Sequence, residues 1–423
     1  MFVHAVDGRQ GVIESEGVLR HLAYFEELGK MDEQDPSWRS VSAGLVVLRL
    51  VDSWITSGTV GSRIDAWGVS AVREAIAELP TTTPTRPVLS AIVDVVVSSA
   101  ELDVHGLIPR LMAYGQTLEY EARWSLAADV YQTIVAHAQP DEDADLVVSA
   151  FIQLAFTLRT VSDYDGAAAA YERASSVALA AGDLIGVLRG RLGDAKLAMA
   201  RGNVPQAESI LEETIQCAKS NGLDDIRSRA LNDRAYVAGV SKQHDRAIRY
   251  SYEALELTKN PRDRDRVLLN IATGFRYLGL FDVARDAYLV LAATGQEQYV
   301  RWLSEINLME LAAQQRIELQ FDRHRRDLES AAFTPLLRVT YLLHVGRGYH
   351  SLGNPEAGIP YLQQAVALAE SHKLNQLIFE AEDALADARR KEVRRPVEAQ
   401  TTTDLSVQAV ADAIHDLRHL AGV

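Results

Sequence analysis

Apolar residues recur along this chain at helical spacing, and small residues recur at a fixed longer period. From Leu154 to Ala174 the sequence reads LAFTLRTVSDYDGAAAAYERA. The pattern predicts two helices joined by a tight turn, with Ala155 on the first, Ala167 and Ala174 on the second, and Tyr171 between the last two. Aligning on the small residue early in each second helix gives Ala127, Ala167, Ala207, Ala247 and Ala284, then Phe321 and Gly358 at the same step. The spacings are 40, 40, 40, 37, 37 and 37 residues. Twelve residues before each anchor stand Gly115, Ala155, Ala195, Ala235, Ala272, Met309 and Gly346, all but one of them Gly or Ala. Two helices approach closely only where their contact residues are small, so a fixed period means one contact rebuilt in every unit. The turns agree. Asn203–Val204–Pro205, Asn354–Pro355 and Thr334–Pro335 each set a capping side chain ahead of a proline at a helix start. Trp124, Tyr164 and Phe281 place an aromatic at other turns.

This grammar resembles the tetratricopeptide repeat. That family sets a small residue at its eighth position, an aromatic near the seventeenth, Ala at the twentieth, an aromatic at the twenty-fourth and Ala at the twenty-seventh. Ala155, Tyr164, Ala167, Tyr171 and Ala174 match all five, and Ala272, Phe281, Ala284 and Tyr288 match four, with Leu291 last. The sixth unit departs most, with Met309, Glu318, Phe321 and Arg325 at these places. The resemblance covers residues 107–388 and implies an all-α, right-handed α-solenoid of about seven helix pairs, with helices longer than the family standard.

Outside the repeat the pattern changes. Residues 1–106 predict four helices, over about 14–28, 36–56, 62–79 and up to Val97, read as a helical cap or bundle covering the first repeat. Residues 389–403 form a basic, then Pro/Thr-rich linker. Residues 404–423 predict one amphipathic helix with Leu405, Val410, Ile414, Leu417 and Leu420 on one side. Alone in water it could not bury that side. It either docks back on the solenoid as a C-terminal cap, the reading favoured here, or binds a partner.

Composition narrows the function. The net charge is −15 over 423 residues, which opposes nucleic acid or an anionic membrane as the main partner. A helix-turn-helix reading of residues 1–106 meets the same objection, with 8 Lys and Arg against 15 Asp and Glu. The lone Cys217 excludes an intrachain disulfide and fits a reducing cytosol. The N-terminus lacks a signal-peptide pattern, and the apolar run from Val88 to Val97 is too short to span a bilayer.

Catalytic and cofactor motifs are missing. There is no phosphate-binding glycine loop and no HExxH. Asp141–Glu142–Asp143–Ala144–Asp145 begins like a calcium loop, but Leu146 and Ile152 stand where its Gly and Glu belong, so it reads as a solvated loop. His415 and His419 share one helix face but are too few to hold a metal. Cys217 has no His near it in sequence. The chain reads as a non-enzyme without metal or cofactor.

In the family it resembles, the first helix of each unit lines a concave groove. Carried over by position, that implies Arg189, Arg229 and Arg266 at one groove position of three successive units, Arg159 and Arg276 at another, and Lys196 and Arg347 at a third. Asn232, Asn270 and Asn307 fall near one height on three successive first helices, with Tyr236 and Tyr277 close by. The repeat region is acidic, with 29 Lys and Arg against 38 Asp and Glu, so an arginine-lined groove would be a local exception favouring acidic groups. An Asn side chain offers a donor and an acceptor, so a column of three could pair with the backbone of an extended peptide, or could instead tie helices together. The family's Lys, Asn and Arg set for chaperone carboxylates is not reproduced. These readings point to a cytosolic adaptor or regulatory subunit binding a protein or peptide segment. One alternative is a sensor of short signal peptides, whose layout in bacterial regulators is similar. Another is a regulator whose N-terminal domain binds DNA or carries an enzymatic activity.

Overall fold

The structure, a computed structural model, describes residues 20–57, 66–98, 104–139, 143–390 and 404–422. Among them the regular structure is helical throughout, without a strand. The helices are α1 (Leu22–Leu28), α2 (Pro36–Ser57), α3 (Ala66–Ala77), α4 (Thr85–Ser98), α5 (Val104–Tyr120), α6 (Trp124–His137), α7 (Ala144–Thr160), α8 (Tyr164–Ala180), α9 (Leu184–Ala200) and α10 (Val204–Ser220). They continue as α11 (Asp224–Val240), α12 (His244–Leu257), α13 (Pro261–Tyr277), α14 (Phe281–Thr294), α15 (Gln298–Gln314), α16 (Glu318–Glu329), α17 (Pro335–Ser351), α18 (Pro355–Ser371), α19 (Asn375–Arg390) and α20 (Leu405–Ala421). The chain divides into two compact units, Met1–Leu158 and Arg159–Val423, with the boundary inside α7.

The sequence period corresponds to a fixed register. The first helices α5, α7, α9, α11, α13, α15 and α17 are each 17 residues long. Gly115, Ala155, Ala195, Ala235, Ala272, Met309 and Gly346 each stand twelfth in their helix, and all are buried. The second-helix anchors each stand fourth in α6, α8, α10, α12, α14, α16 and α18, and all are buried too. The period shortens from 40 to 37 because α10 has 17 residues while α12 and α14 have 14.

The turns repeat as closely. Gly202 and Gly353 hold positive φ, and Ala122, Ser162, Lys242, Arg316 and Lys373 hold it at the equivalent turn position. The following residue donates its N–H to a carbonyl five residues back, as Asn203 does to Ala198 at 2.8 Å and Ile317 to Ala312 at 2.8 Å. This closes the helix end whichever residue stands in the middle. The expected caps form: Asn203, Asn354 and Thr334 accept from the backbone N–H of Gln206, Ala357 and Leu337.

The sixth pair, α15 and α16, buries Met309 and Phe321 completely. Room for Phe321 comes from the next first helix, where a Cβ on Gly348 would stand 2.2 Å from the ring. The small residue has moved to the neighbouring helix, which explains the departure from the repeat pattern.

In the first unit α2 packs on α3 and α4, and buries Val41, Leu45, Leu48 and Val51. The expected first helix appears as α1, its predicted residues 14–19 lying outside the described residues; so do residues 62–65 of the third. Residues 391–403, most of the expected linker, also lie outside them. Asp141 and Glu142 do as well, but Asp143 is not solvated: it is buried, 2.5 Å from His105 Nδ1.

Within the second unit, Asn375 Nδ2 donates to Ser162 Oγ at 2.9 Å, so the last repeat helix returns to the turn ahead of α8. The final helix α20 does dock on the repeats, but not at their end. It lies on the flank, against α14 and α12.

Candidate functional site

The two sides of the second unit differ. First helices touch the next first helices along the series α9, α11, α13, α15, α17 and α19. The second helices have no comparable contact with one another and pack instead against the first helices on either side. The first-helix side is therefore the inner, more closely spaced side, where a ligand could meet several units at once.

The predicted asparagines separate into a pair and an outlier. Asn270 Nδ2 on α13 donates to Asn232 Oδ1 on α11 at 2.8 Å. Both are half-buried, and Tyr236 and Tyr277, four residues after Asn232 and seven after Asn270 on the same helices, are 55% and 51% exposed. The Tyr277 ring stacks on His244 with centroids 5.0 Å apart. Asn307 does not extend the column. It is buried, and its Nδ2 donates to Leu303 O of its own helix at 2.8 Å.

The predicted cations are answered by carboxylates of the adjacent unit. Arg229 meets Asp263 at 3.1 Å, Arg266 meets Glu297 at 3.3 Å, and Lys196 meets Asp233 at 3.3 Å. Arg347 lies 3.7 Å from Glu380. These four cations of the expected groove thus each face a carboxylate, and the inner side carries both signs. Arg189 is half-buried on α9, and Arg159 stands close enough to Tyr171 to oppose the rise of its hydroxyl.

Deeper in the same side lies a charge network that the sequence reading missed. Arg276 NH1 stands 2.9 Å from Glu310 Oε1, and His344 Nδ1 2.8 Å from Glu310 Oε2. Burial alone would raise the Glu310 carboxyl, but Arg276, then His344 and Arg347, hold it well below the usual range. Nearer α9, burial pushes the Asp194 carboxyl up to about 6 against the pull of Arg191. Burial also raises Asp233 despite Lys196 beside it. Charged residues this buried are rare in a helical repeat, but no local motif marks them.

The first unit has its own buried cluster. His21 sits between two carboxylates, Nδ1 2.5 Å from Asp129 and Nε2 3.1 Å from Asp52. His137 and Arg20 each reach the other oxygen of Asp52 at 3.0 Å. Burial would lower the His21 imidazole, but hydrogen bonds to Asp129 and Asp52 raise it to about 9. The cluster fastens α1 to α2 and α6, and its groups are turned to one another. Among the described residues no group of three or more His, Cys, Asp and Glu is placed to hold a metal ion. His415 pairs with Asp286. No described helix is long and apolar enough to cross a membrane.

Tandem helix pairs in one register, with first helices lining one side, define a helical-repeat scaffold. More particularly, the repeats are of the tetratricopeptide kind: the family profile described as "Tetratricopeptide repeat" matches residues 339–372, across α17 and α18. Among solved structures, the Rap conjugation gene regulator of the plasmid pLS20, in complex with the Phr* peptide, is similar in fold. Its TM-score is 0.51 at 13% identity, over 80% of this chain and 97% of that one. BtubC (BKLC) from P. vanneervenii gives 0.32 at 17% identity, over 62% and 91%. The P58(IPK) TPR domain gives 0.22 at 13%, over 89% and 98%. No curated protein matches the sequence.

Proposed function

We propose that the inner side of the second unit binds an extended peptide or protein segment, and that the chain serves as a non-enzymatic cytosolic scaffold, an adaptor or regulatory subunit. The observation that carries this reading is the Asn232–Asn270 pair, with exposed Tyr236 and Tyr277 further along the same two helices. One hydrogen bond joins the two amides, and in this reading Asn232 Nδ2 is the donor and Asn270 Oδ1 the acceptor that meet the ligand. That set matches the C=O and N–H of a peptide unit and reads backbone rather than sequence. The tyrosines supply apolar area with a polar tip. Arg229 and Arg266, each already paired with a carboxylate, would exchange that partner for an acidic group of the ligand.

The test is affinity purification of the chain from its host, followed by the same capture with Asn232→Ala/Asn270→Ala. The partner should bind the double variant more weakly by about 1–3 kcal/mol per lost pair of bonds. Undiminished capture by a folded double variant would remove this reading.

A second reading is supported by the fold likeness to a Rap regulator solved with its Phr* peptide. In it the ligand is a short free peptide and the response is a change of repeat pitch. Saturable compaction in small-angle scattering with a short peptide, without a large partner, distinguishes it from the adaptor. The third reading, a DNA-binding or enzymatic first unit, gains no support from the buried His21 cluster, whose groups face one another.

A further inference from the structure

The outer side of α14 differs from that of every other second helix in its unit. Six residues past the anchor, the other second helices carry Arg173, Glu213, Glu253, Asp327 and Gln364, polar and at least partly exposed; α14 carries Val290, buried. One residue before the anchor, α10, α12 and α16 carry Gln206, Arg246 and Gln320, all exposed; α14 carries Val283, buried. Two residues past the anchor, α12 and α16 carry Arg249 and Arg323, whereas α14 carries Asp286, 2% exposed. The charge is inverted, and the position is sealed.

The cover is α20. Its Val407, Val410, Ala411 and Ile414, spaced i, i+3, i+4 and i+7, are buried in the cluster that contains Val283 and Val290. His415 and Arg418 converge on Asp286, at 2.5 Å and 2.6 Å. Arg249 of α12 reaches Asp404 at the start of α20 at 3.2 Å. So α14 carries a built site for one kind of ligand: an amphipathic helix with a narrow apolar stripe and a basic turn after it. The grip of α20 is limited. Ile414 is buried and Leu417 packs partly buried against the same cluster, but Leu405 and Leu420, one toward each end, are each 85% exposed. So two of its three leucines stay outside the contact.

We propose that the outer groove between α12 and α14 is a binding site for an amphipathic helix of a partner protein, apolar at i, i+3, i+4 and i+7 with a basic turn following, and that α20 is the chain's own copy of that ligand, displaced when the partner enters. The site is separate from the inner side and does not depend on what binds there. Charge complementarity identifies the partner: Asp286 demands a cation on the incoming helix and disfavours an acidic one.

The experiment uses the full chain and a labelled synthetic peptide of residues 404–421 as the probe. Ile414→Asp places a charge in the buried stripe and frees the groove; far-UV circular dichroism follows the fold. The Ile414→Asp chain should stay helical and bind the probe saturably, one to one. The parent chain should bind it at least about tenfold more weakly, because the tethered copy competes. Adding Asp286→Ala or Val290→Glu to Ile414→Asp should weaken the probe by about tenfold or more, while Asn232→Ala/Asn270→Ala should leave it unchanged. A folded Ile414→Asp chain that ignores the probe overturns the proposal. So does an Ile414→Asp chain that loses its helical fold, since α20 would then be an integral part of the core. Equal binding by parent and variant overturns it too, since α20 would not be occupying the groove.

Discussion

Gly346 and Gly358 meet backbone to backbone: a Cβ built on Gly358 would stand 2.6 Å from the carbonyl oxygen of Gly346. The contact joins α17 to α18 at the anchor positions of the seventh pair. Neither a flexible side chain nor a solvent gap can absorb an added methyl there. Gly358→Ala should therefore destabilise the second unit by about 1–3 kcal/mol, although Ala is the better helix former. Urea unfolding followed by circular dichroism reads it. A neutral result would mean the two helices are free to part.

The same register supports a prediction at smaller cost to the backbone. Ala167 and Ala207 are fully buried anchors of α8 and α10. Replacing either by Leu should overpack the contact and cost about 1–3 kcal/mol. A surface change on the same helix, such as Glu213→Leu, should not. Equal effects from anchor and surface leucines would count against the register.

The His21 cluster predicts a response to alkali. The folded imidazole is raised from 6.5 to about 9. Its contribution is therefore fully present below the unfolded value and is lost as pH rises through the folded one. Hydrogen exchange in α1 should quicken between about pH 7 and 9, after correction for intrinsic exchange. His21→Asn should flatten that dependence and leave α1 less protected at pH 7. A pH-independent α1 in the parent chain would show that the charge on His21 does not hold it.

What the sequence made legible, and what it hid, follows from how far each interaction reaches. The anchors were visible because close helix approach restricts residue type at one position of every unit. The Asn232–Asn270 pair was visible for the same reason, as a repeated type at one height. Asn307 followed the repetition but turned inward, since its amide found Leu303 O one turn away. The groove arginines misled because their partners come from the adjacent unit: Asp263 lies 34 residues from Arg229, and Glu297 31 residues from Arg266. Helical spacing shows neither. The amphipathic pattern of α20 said that it needs cover, but not which surface supplies it. The answer was in Val290, apolar where Glu213, Glu253 and Asp327 stand in other units, and only a comparison of second helices reveals it.

Glu310 carries the last prediction. Its carboxylate lies between Arg276 and His344, and the side chains of all three are at most 15% exposed. Ion pairs this buried add little net stability when replaced as a whole, but removing one partner strands the others. Glu310→Gln should destabilise the second unit by about 3–5 kcal/mol, because it leaves the Arg276 charge buried without a counter-charge. Arg276→Met alone should cost a similar amount, and the double variant less than the sum, the signature of one shared interaction. The acid response tests the same group. Its folded pKa is held below the unfolded value of 4.5, so its contribution is present above that value and is lost as pH falls through the folded one. Protection of α15 in hydrogen exchange should drop as the solution is taken below about pH 4 in the parent chain. In Glu310→Gln that drop should be absent, with protection already low at neutral pH. If the double variant simply adds the two single effects, Arg276 and Glu310 do not act together, and the pair does not tie α13 to α15.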